Sequence, residues 1–394
     1  MKKLVILFLL VSLGATITAK PPKPPKGYRW VLNTQFSDEF NGNELDKNKW
    51  MNQFNGGWLG RPPAWFNPDA VWVEDGLLKI RSGALTSPRG RNNEYTMYGG
   101  AVSSVSKEAH FGYYECKAKA SKIAMSTTFW MSNDKVPFTE NDDCKTDSYS
   151  QELDIQEGIG GCTVNQKFIN GMNCNTHFRY VKCGERKETF ISKGSGTTLK
   201  SEVSDKYHIY AAWWKNPNEV LFYANNELFD TVQVRTDVSE KPFDRPMQIN
   251  MVTETYDWQP APSVDDLEND AINTASYDWV RSYELVPINK KVKSKHSTVL
   301  YDNVCTSQLK RNSSKVELNY TYQLNEDCLM VISLKNAAGE VIKKTELNLL
   351  KGYGNNSLTI KLSEKEIGAV VAYDSEVVSS KSKTAVVKSK GQLL

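Results

Sequence analysis

From Gly27 to about Pro287 apolar and polar residues alternate in short runs separated by Gly, Asn, Asp and Pro, and no stretch keeps a helical period. The runs LLKIRSG (77 to 83), GYYECKAKA (112 to 120), EVLFYAN (219 to 225) and WVRSYELV (279 to 286) carry the two-residue period of strands with one buried face. Many short strands separated by turn signals predict a two-sheet sandwich. A second alternating series begins near residue 299: KVELNYTYQL (315 to 324), CLMVISLK (328 to 335), EVIKKTELNL (340 to 349), SLTIKL (357 to 362) and GAVVAYD (368 to 374). It predicts a smaller accessory β-domain over 299–394, joined to the first by a lysine-rich linker at 288–298. Ahead of the first domain, KPPKPPK (20 to 26) reads as a short extended spacer, because successive prolines favour polyproline II and cannot join a sheet.

Composition narrows the setting. With 40% apolar and 24% charged residues, the 394-residue chain can bury real cores. Residues 1–19 have the charged start, short apolar centre and small-residue end of a secretory signal. Their apolar run falls short of the roughly 20 residues a membrane-spanning helix needs, and no later segment approaches that length. The expected product is therefore secreted, with periplasm or cell surface as variants, and monomeric. A net charge of +3 argues against nucleic acid as partner, and the run Lys290, Lys291, Lys293, Lys295 lacks the interleaved aromatics of a phosphate-binding patch.

Seven cysteines in a secreted chain predict disulfides with one thiol left over. Cys116, in the alternating run Tyr114, Cys116, Ala118, is the expected odd buried thiol. Cys305 and Cys328 are expected to pair with each other. Cys144, Cys162, Cys174 and Cys183 allow two bridges in any of three connectivities. The absence of a CxxC spacing argues against zinc.

The chemistry concentrates in Glu152-Leu153-Asp154-Ile155-Gln156-Glu157, three carboxylates in six residues within a strand-like context. On a regular strand Glu152 and Asp154 share a face while Glu157 points away. A β-bulge around Ile155 and Gln156 returns Glu157 to the face of the other two. A solvated strand face gains nothing from three crowded like charges, whereas enzymes that cut glycosidic bonds work with paired carboxyl groups. The chain also holds 10 Trp and 18 Tyr, the residues on which sugars stack their C–H faces.

The segment ELDIQE resembles the ExDxxE signature of glycoside hydrolase family 16 in its bulged form. FSDEFNGNELDKNKW (36 to 50), GGAVSSVSKEAHFGYYECKAKAS (99 to 121), AMSTTFWM (124 to 131), MNCNTHF (172 to 178), YHIYAAWWKNPNEVLFYANNELF (207 to 229) and NTASYDWVRSYELV (273 to 286) resemble the family's other segments in order. The likeness spans about 27 to 287, and WLGRPPAWF (58 to 66) and TETYDW (253 to 258) look most like β-agarases and their porphyranase relatives.

This resemblance implies an all-β fold: a curved two-sheet jelly roll with a concave substrate cleft over 27–287. It implies Glu152 as nucleophile, Glu157 as general acid/base and Asp154 as the partner of Glu152. The substrate contacts it implies are Trp58, Arg61, Trp65, Trp130, His177, Glu254 and Trp258, whereas Trp213 and Trp214 read as structural. No cofactor is required, and a structural calcium on Glu39 and Asp278 is admitted. The leading expectation is an endo-β-agarase that cleaves β-1,4 bonds of a red-algal galactan with retention. A porphyranase or carrageenase acting on sulfated galactan is the alternative, and an inactive carbohydrate-binding protein of the same fold a second.

Overall fold

A computed structural model describes residues 20–138, 147–237, 239, 241–292, 302–312 and 315–393. The leader (1–19), most of the expected linker and Cys144 lie outside these residues.

The first series of strands forms two packed sheets. One runs in the order Thr189–Thr198, Gly171–Val181, Ser148–Ile159, Ser126–Ser132, Gln248–Thr253, Tyr95–Ser104, Trp50–Met51. The other includes Glu227–Gln233, Glu219–Ala224, His208–Asn216, Gly112–Lys119, Thr274–Pro287 and Tyr28–Leu32, again as neighbours in that order. Their inward residues, among them Leu153, Ile155, Phe129, Met131, Val102, Met251, Trp214 and Phe222, make one core. Each such side chain contributes about 1.5–3 kcal/mol by burial. Trp213 and Trp214 are both buried, in keeping with their structural reading. This is the expected all-β jelly roll with a cleft on the first sheet.

The second series packs Val341–Leu349, Cys328–Lys335, Ala372–Ser379 and Ala385–Gln392 against Gly352–Lys361, Lys315–Leu324 and Val304–Asn312. Leu309, Leu318, Ile332 and Leu334 are among the fully buried residues of this second core. The two modules share a sheet: Gly352–Lys361 pairs antiparallel with Tyr28–Leu32, setting Arg29 opposite Gly354 and Trp30 opposite Tyr353. Gly352 takes φ +117°, and a Cβ there would stand 2.2 Å from the Trp30 carbonyl oxygen, so only glycine fits this close crossing. Arg29, buried at the seam, donates to the carbonyls of Lys351 (2.8 Å), Lys290 (2.9 Å) and Pro287 (3.1 Å).

The proline-rich segment is not a free spacer. Pro21 and Pro24 are buried, the Trp30 indole donates to the Pro22 carbonyl at 2.7 Å, and the Tyr28 amide donates to Pro25. Polyproline II leaves its carbonyls without internal partners, so a buried indole can use one while the rings pack.

The disulfide expectations are corrected in part. Cys116, Cys162, Cys174, Cys305 and Cys328 are all free, buried thiols. Cys116 behaves as expected, but it is not alone. Cys162 donates to Gln259 Oε1 at 3.0 Å and Cys174 to the Ser195 carbonyl at 3.2 Å, so two bridges among the group of four cannot form. Cys305 and Cys328 sit unbridged in the second core, where burial pushes both thiols up to about 11. A buried cysteine packs as a small hydrophobe, and sequence spacing does not distinguish that role from a bridge.

Candidate active site

The strand Ser148–Ile159 supplies the carboxylates. Its pairing with Ser126–Ser132 slips between Asp154 and Gln156, which is the bulge that the spacing calls for. Ile155 and Gln156 both turn inward: Ile155 enters the core, while Gln156 donates to the Gly171 carbonyl and accepts from the Asn173 amide. Glu152, Asp154 and Glu157 then line one cavity of about 510 Å³, within the usual size of a ligand site.

His177 lies directly across from Glu152 on the neighbouring strand. Its Nε2 is 2.8 Å from Asp154 Oδ2 and 3.8 Å from Glu152 Oε1. Burial lowers its pKa, so the ring is neutral at ordinary pH and donates from Nε2 to the Asp154 carboxylate. Burial, and then the charge of Asp154, push Glu152 up to about 7. Burial and the Glu157 charge raise Asp154 as well. Glu152 and Asp154 therefore behave as a coupled pair that retains a proton near neutrality.

The walls of the cleft carry cations, each set against a carboxylate. On one side Arg61 Nε meets Glu254 Oε2 at 3.1 Å, and its guanidinium lies 5.1 Å from the Tyr256 ring centroid. Gly60 makes the turn that presents Arg61: it takes φ +108°, and a Cβ there would stand 2.5 Å from the Ala64 carbonyl oxygen. On the other side Arg179 stands 3.6 Å from Glu152 and 3.7 Å from Glu188, with its guanidinium over the Phe190 ring. Lys135, 3.7 Å from Glu188, lines the same cavity. Burial pushes Glu254 up to about 7.

The expected substrate contacts divide. Trp58 and Trp130 line the cavity; Trp58 packs edge-on against Phe66, and Phe54 stacks on Trp130. Trp258 is 44% exposed and outside the cavity lining, stacked on Tyr256 and against Phe168. Trp65 is not part of the cavity lining and lies under the Arg89 guanidinium instead. Glu254, expected as a hydroxyl-binding group, is engaged by Arg61.

Glu39 and Asp278, the residues expected to hold calcium, are each engaged by a cationic side chain. Glu39 is held by Arg281 through two bonds of 2.7 and 2.8 Å, and Asp278 by Lys117 at 2.5 Å. Among the described residues the grouping suited to a metal is Glu152, Asp154 and His177, whose ligand atoms lie within 4.8 Å of one another. Those same contacts are the ones by which His177 orders the carboxyl set.

Tyr256, Arg179, Lys135, Glu188 and Phe190 escape the sequence reading. Tyr256 donates to Glu157 Oε1 at 2.6 Å. Its only signal was its place two residues after Glu254, as Arg179 stands two after His177 on one strand face.

Comparison with known proteins bears on this geometry. Residues 30–285 match the family model described as beta-porphyranase A-D, GH16 domain, and 304–373 match the porphyranase-associated domain. The chain is 40% identical over 266 residues to beta-porphyranase E of Zobellia galactanivorans, covering 68% of this chain and 92% of that protein. It is 37% identical over 362 residues to beta-porphyranase D of the same organism, covering 88% and 83%. The crystal structure of a beta-porphyranase from the human gut bacterium Bacteroides plebeius matches with a TM-score of 0.63 at 39% identity, over 68% of this chain and 96% of that one.

Proposed function

Because the chain belongs to glycoside hydrolase family 16, and is thus a retaining endo-hydrolase of red-algal galactan, we propose that its substrate is the sulfated galactan porphyran. The observation that carries this reading is a cavity in which the carboxylate set is flanked by Arg61, Arg179 and Lys135. A guanidinium can hold a sulfate ester through two parallel hydrogen bonds. The relatives weigh the same way: beta-porphyranases are 31 to 40% identical, whereas beta-agarases of Zobellia galactanivorans and Phocaeicola plebeius are 26% identical. Glu254, whose charge would otherwise repel a sulfate, is paired with Arg61 and raised to about 7 by burial, so it opposes an anion weakly. The agarase expectation thereby becomes the second reading.

In this reading Glu152 attacks the anomeric carbon while Glu157 protonates the departing oxygen, and Glu157 then takes a proton from the water that releases the glycosyl enzyme. Asp154 and His177 hold Glu152 in place and set its charge. Trp58 and Trp130 offer rings to the sugar faces, and the charged leader followed by an apolar run supports secretion. The test is kcat/KM on porphyran and agarose in one buffer. Porphyran should lead by about tenfold or more, and Arg61→Ala should lose about 10- to 100-fold more on porphyran than on agarose, the value of one charge-assisted contact. A tenfold preference for agarose would overturn the proposal.

A further inference from the structure

We propose that Tyr256 is a positioning residue for the acid/base: its phenol occupies one oxygen of Glu157, so the reactive proton is carried on the other. The inference rests on Glu157 being the acid/base and is independent of which galactan is cut.

The phenol donates to Glu157 Oε1 at 2.6 Å, the short separation of an O–H bonded to a carboxylate. Burial first, and then the charges of Glu157 and Glu254, hold the phenol well above its ordinary pKa, so it stays protonated and acts only as a donor. Its ring is fixed by its surroundings. Trp258 stacks on it at 5.3 Å with 19° between planes, Phe168 meets it at 6.4 Å, and the Arg61 guanidinium lies 5.1 Å from its centroid. The Glu157 backbone is pinned as well, since Asn173 Nδ2 donates to its carbonyl at 2.9 Å.

With Oε1 facing a proton that cannot leave, a protonated Glu157 must carry its own hydrogen on Oε2. In the first half-reaction the Oε2–H bond breaks, the proton passes to the glycosidic oxygen, and the leaving sugar departs as an alcohol. Glu157 is left as a carboxylate whose new charge is met by the phenol. In the second half-reaction Oε2 takes a proton from water as the oxygen of that water bonds to the anomeric carbon and Glu152 departs. The phenol bond is stronger to the carboxylate than to the acid, so it favours the state formed by proton transfer and acts in the transition state more than in the ground state.

The experiment is the pH profile of Tyr256→Phe on whichever galactan the wild type cuts. Removing the donor should lower kcat about 10- to 100-fold, with KM within about threefold. It should also shift the alkaline limb of kcat/KM upward by about one pH unit, because the carboxylate loses its stabilising partner. An unmoved limb, or a change confined to KM, would overturn the proposal. Replacing Tyr256 with a fluorinated tyrosine keeps the packing and strengthens the donor; the limb should then move down, and a limb that stays put refutes the role even if the Phe variant does not fold. Glu157→Gln separates the two layers: a variant retaining more than about a tenth of the wild-type rate sinks the acid/base assignment itself.

Discussion

Asp154→Asn tests the electrostatics of the carboxylate set most directly. The Asp154 and Glu152 oxygens lie within 4.8 Å of each other. Two unit charges at about that distance, in an effective dielectric of ~20, repel by roughly 3.5 kcal/mol, or about 2.5 pH units. Glu152 stands at about 7 chiefly because it is buried and next because Asp154 beside it is charged. Asparagine removes only the second. A nucleophile raised in this way is protonated and inactive below about pH 7, so the acid limb of kcat/KM reports its ionisation. In Asp154→Asn that limb should move down by about one to two units, less than the full Coulomb figure because burial persists and the set shares its proton. The amide oxygen can still accept from His177, so orientation survives and the maximal rate should fall by only about tenfold. The assay is release of reducing ends from about pH 4 to 9. A limb that stays at neutrality or moves up would show that Asp154 is not the source of the field on Glu152.

Two further outcomes follow from buried charge. Glu115 is fully buried and raised to about 7, chiefly by burial. A raised carboxyl gives stability that is complete below about 4.5 and lost as pH climbs through about 7, so Glu115→Gln should gain about 2.5 kcal/mol on wild type between about pH 5 and 8 in urea denaturation; a constant difference would disprove the linkage. Arg29→Met removes three bonds to carbonyls at the seam and should destabilise the full chain by about 3–5 kcal/mol, whereas a loss under about 1 kcal/mol would mean that the seam does not hold the modules.

The catalytic strand was legible in ELDIQE because alternation fails there by one residue, and a bulge is the local remedy. His177 was legible because its segment follows the strand that needs it. Tyr256 and Phe190 were not, since their roles depend on which ring meets which carboxylate or imidazole once the chain has folded. Glu254 was seen but misjudged: its effect depends on Arg61, 193 positions away. Most of the expected cysteine pairings and the proline-rich segment failed for a related reason, although Cys116 is the free thiol expected and Cys183 is bridged. A thiol in an alternating run can bridge or pack, and a proline run can extend into water or lie on a sheet. Only the neighbours in space decide between these.

The placement of the second module follows from the same edge that begins the fold. Tyr28–Leu32 pairs with Thr274–Pro287 on one side, and its other side would expose unpaired amides and carbonyls. Gly352–Lys361 covers that side through the Trp30 and Tyr353 register, and the Arg29 guanidinium ties Lys351, Pro287 and Lys290 together. The module is thus an extension of the sheet opposite the one that carries Glu152, Asp154 and Glu157. A contact between this module and a polysaccharide would fall away from the bond being cut, so its removal should be felt first in the stability of the entry strand and only through that strand in catalysis.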